Sequence, residues 1–144
     1  MDKISKLSIR LARWPEEQEA LRLVRESVFV REQNVPSDME WDDQDSEALH
    51  FLVLDPEGNA IATARLLPSG QLGRMAVLKP WRNQGLGTKL LTTVLTHAQA
   101  KRLNVFCHAQ VQAIDFYRRA GFIVHGEPYM EAGIQHQTML YVRP

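Results

Sequence analysis

The chain has 144 residues, of which 44% are hydrophobic and 24% charged, and this composition predicts one globular domain over residues 1–144. No apolar run approaches the ~20 residues of a membrane span, and the first residues lack an apolar signal core, so we expect a cytoplasmic protein with no membrane partner. The single cysteine, Cys107, excludes an internal disulfide. A net charge of zero without a basic and aromatic stripe argues against nucleic-acid binding.

The first half of the chain contains four predicted strands and one predicted helix. The helix begins at Trp14 and Pro15 and ends near Arg31, because its apolar residues recur at helical spacing. Residues 34–48 form a long acidic loop, and its two apolar residues, Met39 and Trp41, leave open whether it packs down over a substrate or stays loosely ordered. The four strands span residues 8–13, 50–55, 60–67 and 71–78.

The second half alternates helices and strands. A helix from Gly85 to about Arg102 separates the fourth strand from a fifth at residues 104–109, which predicts a parallel pair joined by a right-handed crossover. A short helix over residues 112–120 ends at Gly121. Two closing strands span residues 122–125 and 137–142. The whole pattern predicts an α+β domain with a mixed central sheet of six to seven strands flanked by helices.

The segment after the fourth strand is suited to bind an anion. Its loop contains Gly85 and Gly87 and leads into a helix, so free backbone N–H groups and the helix dipole converge where glycine lets a ligand approach the backbone. A Walker phosphate loop is excluded, because the glycine spacing and the Lys-Ser/Thr pair are missing. A dinucleotide fingerprint is excluded as well, because its third glycine would fall at Leu90.

Residues 30–36, with Glu40 and Asp42 after them, and residues 133–136 resemble small single-domain bacterial members of the GNAT N-acetyltransferase superfamily, and two spaced motifs resemble the superfamily as a whole. The first, R/Q-x-x-G-x-G/A, is filled by Arg82, Gly85 and Gly87, and it resembles the acyl-CoA pyrophosphate loop of that superfamily. The second runs from Gln110 to Phe122 and is similar to N-x-x-A-x-x-[LF]-Y-x-x-x-G-F, with Gln110 in place of the usual asparagine. The resemblance covers nearly the whole chain and implies the GNAT acyl-CoA N-acyltransferase fold.

The resemblance also implies a metal-free enzyme that transfers an acetyl group from acetyl-CoA directly to a primary amine. It gives Tyr117 the role of the acid that protonates the leaving thiolate, since a phenol of pKa ~10 is protonated at neutral pH. The alternative for Tyr117 is a core aromatic residue. A backbone N–H of the strand before the loop would polarise the thioester carbonyl. The residues implied to bind the cofactor are Met75, Ala76, Val77, Arg82, Asn83, Gln84, Gly85, Leu86, Gly87, Thr88 and Gln110.

Charge is unevenly distributed along the chain. Residues 32–64 contain nine Asp or Glu and no Lys or Arg, whereas residues 65–119 contain nine Lys or Arg and one acid, Asp115. The basic half suits a polyanionic cofactor such as CoA, and the acidic loop would favour a cationic amine as acceptor. The alternative is that these charges form solvated faces.

The base that takes the proton of the amine is left open by the sequence. Glu40 is preferred, because the apolar bulk of the adjacent Trp41 would raise the pKa of its carboxyl group. The other candidates are Glu32, Asp42, His108, Glu131 and His136. A non-catalytic acyl-CoA-binding regulator and an acidic interaction protein are the alternative functions. We expect a small-molecule or protein amine as partner, and we also consider a homodimer.

Overall fold

Residues 4–142 are described in the structure, which is a computed structural model of the chain. The strands are β1 (Ser8–Ala12), β2 (Leu49–Leu54), β3 (Ala60–Leu66), β4 (Gln71–Val77), β5 (Phe106–Gln110), β6 (Phe122–Val124), β7 (Tyr129–Glu131) and β8 (Ile134–Tyr141). The helices are α1 (Trp14–Arg25), a π-helix (Glu26–Glu32), α2 (Ser37–Glu40), α3 (Leu86–Ala100) and α4 (Ile114–Arg119). Short 3₁₀ turns lie at Ile4–Lys6, Asp45–Glu47, Lys79–Trp81 and Val111–Ala113.

The strands form one mixed sheet in the order β1-β2-β3-β4-β5-β8-β6, and β7 pairs with β8. Strands β1 to β4 form an antiparallel meander. The β4–β5 pair is parallel, as predicted for strands joined by a crossover through α3, and β8 is antiparallel to β5, β6 and β7. The sheet therefore changes from antiparallel to parallel pairing between β4 and β5.

Helices cover both faces of the sheet. The apolar stripe of α3, including Leu90, Leu91 and Val94, packs with Phe51 and Ile61 on one face. Leu21 and Val24 of α1 pack with Leu52 on the other face. Every residue of β3 is buried because the strand lies between these two layers. The next strand, β4, is held by both layers, since Leu72 packs in the cluster that contains α3 and Ala76 in the cluster that contains α1.

The structure confirms an α+β domain with a mixed sheet, but it has eight strands where six to seven were predicted. The additional strand is β7, a three-residue element that forms only because Tyr129 pairs with His136 across a tight turn. β8 accordingly begins at Ile134 and not at residue 137. A strand of three residues is too short to show the alternation of polar and apolar residues that identifies strands in a sequence, so it cannot be distinguished from a turn.

The N-terminal helical region also differs in detail. The predicted helix ending near Arg31 is α-helical only to Arg25 and continues as the π-helix to Glu32. The acidic loop contains α2, and Glu40 at its end is buried, so the segment packs onto the protein. Among residues 4–142, no helix is long and apolar enough to cross a membrane.

Candidate functional site

The two central strands, β4 and β5, separate after two paired positions. Their parallel pairing joins residues 71–72 to residues 106–107 and does not include the rest of β4. On the other side of β4, the register with β3 shifts at Arg74, which has a φ of +49°. A β-bulge of this kind bends its strand. The carboxyl half of β4 therefore diverges from β5, and a gap opens through the sheet.

The three predicted carbonyl-polarising residues of β4 do not all point into this gap. The N–H of Leu78 donates to a β3 carbonyl at 2.9 Å, in the same register that pairs Ala76 with Thr63. Alternate residues of an antiparallel strand direct their N–H groups to opposite edges. The N–H of Val77 therefore points away from β3 and into the gap, while that of Ala76 points to β3. Met75 lies within the bulge.

The start of α3 has free backbone donors. Gly85, the residue before the helix, has a φ of +87°, a conformation that favours glycine. The N–H of Lys89 donates to the Gly85 carbonyl at 3.2 Å, so the N–H groups of residues 86–88 have no acceptor within the helix. A Cβ at Gly87 would lie 3.4 Å from the Phe116 ring, so α3 contacts α4 at this position and a side chain larger than methyl would meet the ring. Gly85 is therefore favoured by its backbone conformation, and Gly87 by the small space beside Phe116.

Arg82, predicted to contact the cofactor, is held by protein groups. Its Nε donates to the Val77 carbonyl at 2.8 Å, and its terminal nitrogens donate to both carboxylate oxygens of Glu32 at 2.9 and 2.6 Å. The hydrogen bond from Arg82 lowers the pKa of Glu32. Nearby, Asn83 has a φ of +62°, and the Gln84 amide donates to the carbonyl four residues before it. The contact of Arg82 with a pyrophosphate stays a prediction.

A cavity of about 340 Å³ occupies the gap between β4 and β5. It has walls from both faces of the sheet, because Cys107 and His108, which are adjacent on β5 and point to opposite faces, both line it. The predicted site residues that line it are Glu40, Asp42, Met75, His108, Gln110, Tyr117, Glu131 and His136. Glu32 and residues 82–88 lie outside this lining.

Tyr117 lies on the cavity wall and in the core at once. Its side chain is 8% exposed, and its ring packs between those of Phe116 and Phe122. Its hydroxyl donates to Sδ of Met75 at 3.8 Å, and a thioether is a weak acceptor. Burial, with a smaller effect of Cys107, raises the pKa of Tyr117 well above its ordinary value. The hydroxyl is therefore protonated at neutral pH and has no strong partner.

Gln110 connects the two sides of the cavity. Its amide nitrogen donates to the side-chain oxygen of Gln33, which follows the π-helix, at 2.6 Å. Its own side-chain oxygen accepts from Gln112 at 2.6 Å. Both ends of the Gln110 amide are therefore engaged within the protein. Its part in binding a cofactor stays a prediction.

Three carboxylates of the acidic segment form a buried network with three arginines, which we call the ionic cluster. The cluster consists of Arg25, Glu40, Asp42, Asp45, Arg65 and Arg74. Glu40 is 3% exposed, and its Oε2 accepts from Nε of Arg25 at 2.8 Å and lies 3.2 Å from Nε of Arg74. Arg25 also lies 4.9 Å from the ring centroid of Trp41, which explains how the acidic segment is held down.

The other members of the ionic cluster complete the pairing. Arg65 donates to Asp42 at 2.8 Å and to Asp45 at 3.0 Å, while its Nε is buried without a hydrogen-bond partner. The carboxylates of Glu40, Asp42 and Asp45 are thus paired with arginines, so these three carboxylates are not free to bind a cation. The preference for a cationic acceptor stays a prediction.

The pKa values of the two candidate bases in the ionic cluster shift in opposite directions. Burial raises the pKa of Glu40, although Arg74 and Arg25 oppose the rise. Burial also acts to raise the pKa of Asp42, but the hydrogen bond and charge of Arg65 outweigh it and the pKa is lowered. The rise predicted for Glu40 is thus present, and its cause is burial of the carboxylate. Its role as a base stays a prediction.

Sequence reasoning missed the arginines of the ionic cluster. A usable signal existed, because Arg65 interrupts the otherwise apolar run of β3, and a buried arginine requires acidic partners. Cys107 is buried, and burial raises the pKa of its thiol to about 12, as suits a structural thiol. Among residues 4–142, no group of His, Cys, Asp or Glu is arranged to hold a metal ion.

Comparison with known proteins gives a consistent result. Residues 15–142 match the acetyltransferase (GNAT) domain family. The chain is 36% identical over 121 residues to a protein described as the uncharacterized N-acetyltransferase YjcF of Bacillus subtilis (strain 168), and the match covers 81% of this chain and 86% of that protein.

Solved structures show the same fold. The crystal structure of an acyl-CoA N-acyltransferase from Pseudomonas aeruginosa has a TM-score of 0.85 and 30% identity, with 94% of this chain and 99% of that chain covered. A GNAT family acetyltransferase from Elizabethkingia anophelis, solved with acetyl-CoA bound, has a TM-score of 0.62 and 19% identity, with 94% and 95% covered.

Proposed function

Because this chain belongs to the GNAT acetyltransferase family, we propose that it transfers an acetyl group from acetyl-CoA to a primary amine. The observation that best supports the proposal is the gap between β4 and β5. At the β4 edge of this gap the N–H of Val77 points away from β3, although Val77 does not itself line the cavity. Tyr117 does line the cavity, and its buried hydroxyl lies 3.8 Å from Sδ of Met75. A polarising donor and a proton donor at one opening are the groups that acyl transfer requires.

The start of α3 fits the pyrophosphate of acetyl-CoA. The N–H groups of residues 86–88 have no acceptor within the helix, and a Cβ added at Gly85 would have no atom within 4 Å, so the loop is uncrowded where it enters α3. The relative from Elizabethkingia anophelis that was solved with acetyl-CoA supports this choice of cofactor. When bound, acetyl-CoA supplies the acyl group as a thioester.

Tyr117 is the proposed acid for the leaving sulfur. Burial raises the pKa of Tyr117, so its hydroxyl is protonated at neutral pH and is available to donate a hydrogen bond to the sulfur, where negative charge develops as the carbon–sulfur bond breaks. The weak contact with Met75 lets the hydroxyl change partner at little cost. Val77 N–H is the proposed donor to the carbonyl oxygen that gains negative charge during transfer.

The acceptor amine enters, on this proposal, from the cavity face of β5 and β8. Glu40 and Asp42 on the cavity wall are paired with arginines, whereas Glu131 has no ion pair with any residue between 4 and 142. A preference for a cationic acceptor would therefore depend on Glu131, which lies at the turn between β7 and β8. On this proposal Glu131, and not the acidic segment, would attract a cationic acceptor.

The test is a thiol-release assay with acetyl-CoA and a panel of cationic, neutral and acidic amines, run together with calorimetric titration of CoA. We expect acetylation of at least one amine, with cationic amines preferred and their kcat/KM decreasing as salt rises. Glu131→Gln should reduce that preference while Asp115→Asn, an exposed acid outside the cavity, should not. Binding of CoA without turnover on any amine would favour a non-catalytic acyl-CoA-binding regulator.

A further inference from the structure

His136 lies on β8 at the cavity, and its ring is oriented by the backbone. The residue is 8% exposed and lines the cavity on the wall formed by β5 and β8, where it is the register partner of Gln110. Residues paired directly across antiparallel strands share one face of the sheet. His136 and Gln110 are therefore on the same face, and His108, two residues before Gln110, is on it as well.

The hydrogen bond of His136 fixes which ring nitrogen carries the proton. Nδ1 lies 2.7 Å from the backbone carbonyl oxygen of Ile134. A carbonyl oxygen can only accept, so Nδ1 must be the donor and carries the hydrogen. In the neutral ring, Nε2 then holds a lone pair. No residue between 4 and 142 forms a hydrogen bond with Nε2.

The ring is also held in place from behind. Tyr129 stacks on it with 5.8 Å between ring centroids and an interplanar angle of 22°. The contrast with His108 is informative, because His108 is exposed and its Nδ1 contacts the hydroxyl of Thr138, at 3.0 Å. A hydroxyl can donate or accept, so this contact leaves the tautomer of His108 open. Of the two cavity histidines, His136 alone has its basic nitrogen specified.

We propose that Nε2 of His136 accepts the proton that the acceptor amine loses during acetyl transfer. This inference rests on the function proposed above. The amine nitrogen forms a bond to the acyl carbon, the carbon–sulfur bond breaks, the amine proton passes to Nε2, and the sulfur takes the Tyr117 proton. His136 then returns its proton to solvent and Tyr117 regains one, so that no proton is gained or lost overall.

The charged and titratable groups around His136 come from six helices and strands and from the segment that follows α2. β7 contributes Tyr129, which stacks on the ring, and Glu131 at the cavity; β5 contributes Cys107 and His108. The remaining groups on the cavity wall are Glu40, Asp42, Arg65, Arg74 and Tyr117. Cys107 and Tyr117 have raised pKa values and stay neutral, and Asp42 is paired with arginines. His108, Glu40 and Glu131 are therefore the groups to separate from His136 in a pH profile.

The test compares the pH dependence of kcat/KM for the wild-type protein, His136→Asn, His108→Asn, Glu40→Gln, Glu131→Gln and the control His125→Asn. Asparagine at position 136 can still place an N–H near the position of Nδ1 and donate to Ile134, but it has no base at the position of Nε2. We expect His136→Asn to lower kcat/KM by ~10²–10⁴-fold and to abolish the decline at acidic pH, with CoA affinity and thermal unfolding unchanged. His125→Asn, at an exposed histidine outside the cavity, should keep both the rate and the profile, and His108→Asn and Glu131→Gln should each keep the acidic decline.

Two results would overturn the assignment to His136. The first is a His136→Asn rate within twofold of wild type, and the second is loss of the acidic decline in Glu40→Gln with its retention in His136→Asn. A measurement without turnover is also decisive: ¹⁵N NMR of the neutral ring should show the proton on Nδ1. A proton on Nε2 rejects His136 alone, whereas a wild-type protein that acetylates no amine rejects the proposed function and this role with it.

Discussion

The two segments beside the cavity, the loop from Lys79 to Thr88 and the acidic segment from Ser37 to Glu47, obtain their chemistry in different ways. In the loop the functional groups are backbone N–H groups, left free because a helix begins there. In the acidic segment they are carboxylates, and arginines from α1, β3 and β4 determine what these can do. The first property is local to the sequence, and the second depends on arginines 15 to 34 positions away from the carboxylates they pair with.

The difference shows why charge along a chain predicts ligand charge poorly. The ionic cluster contains three arginines and three carboxylates, so its formal charges cancel. Three of the nine acids between residues 32 and 64 are therefore neutralised by arginines that lie before or after that segment. A free backbone donor at a helix start, in contrast, has no competing partner within the helix.

The largest effect on turnover should come from Tyr117, which belongs to neither the loop nor the acidic segment. Tyr117→Phe removes the proposed acid and keeps the ring against Phe116 and Phe122. We expect turnover to fall by ~10²–10⁴-fold, with CoA affinity and melting temperature unaltered. Steady-state kinetics with the preferred amine measures this. Turnover within twofold of wild type would make Tyr117 a core residue only.

Removal of the Arg25 side chain should destabilise the packing of the acidic segment without changing the loop. Arg25→Met leaves the buried carboxylates of Glu40 and Asp45 without their shared partner, which we expect to cost about 3–5 kcal/mol in the free energy of unfolding. Urea denaturation measures the loss. Arg22→Met, on an exposed position of the same helix near Trp41, serves as the matched control and should cost far less. A loss below 1 kcal/mol for Arg25→Met would show that the cluster contributes little.

CoA binding by the loop from Lys79 to Thr88 should be weakened by a change that leaves the ionic cluster intact. Gly85→Asp places a side chain at a φ of +87° and a negative charge before the free N–H groups. We expect CoA affinity to fall about 10- to 100-fold, which corresponds to about 1.4–2.8 kcal/mol. Gly58→Asp, also at a positive φ but in the β2–β3 turn, controls for backbone strain. Unchanged CoA affinity in calorimetry would refute the pyrophosphate assignment.

Acid should weaken the ionic cluster through His50, a buried residue of β2 whose Nε2 lies 2.8 Å from the backbone carbonyl oxygen of Asp45. Burial lowers the pKa of His50, and Arg25 and Arg65 add to the effect while Asp45 opposes it. The unfolded chain then binds the proton more readily than the folded one, so stability present above the unfolded pKa of ~6.5 is lost as pH falls below it. One proton contributes at most about 1.4 kcal/mol per pH unit. Urea unfolding at pH 7.5 and 5.5 should show a smaller decrease in His50→Gln than in wild type.

The smallest effect should come from the contact that joins the glycine loop to the π-helix. Arg82 and Glu32 are both partly exposed, so their ion pair should stabilise the protein by no more than about 1 kcal/mol. If Arg82 only holds the loop, Arg82→Gln and Glu32→Gln should weaken CoA binding equally and only slightly. A larger loss in Arg82→Gln alone, reduced at high salt, would indicate direct contact with the pyrophosphate.

Sequence reasoning predicted most of the fold because the elements concerned are periodic and bounded by turn residues. The crossover helix α3 and the parallel β4–β5 pair follow from one apolar stripe between two strands. The strand β7 could not be predicted, because three residues are too few to show a strand-like alternation of polar and apolar residues. It is defined only by its pairing with the first residues of β8, which the sequence prediction did not assign to a strand. The π-helix could not be predicted either, because its apolar pattern fits an α-helix equally well.

By itself, the sequence determined the loop, Gly85 and Gly87, and the position of Tyr117 in a helix beside the strands, because these depend on local backbone geometry and motif spacing. Only the tertiary structure decided that Glu40 is paired with Arg25 and that Nδ1 of His136 donates to Ile134. The physical reason is that an ionisable group acquires its pKa, tautomer and partner from its surroundings, and distant parts of the chain supply those surroundings.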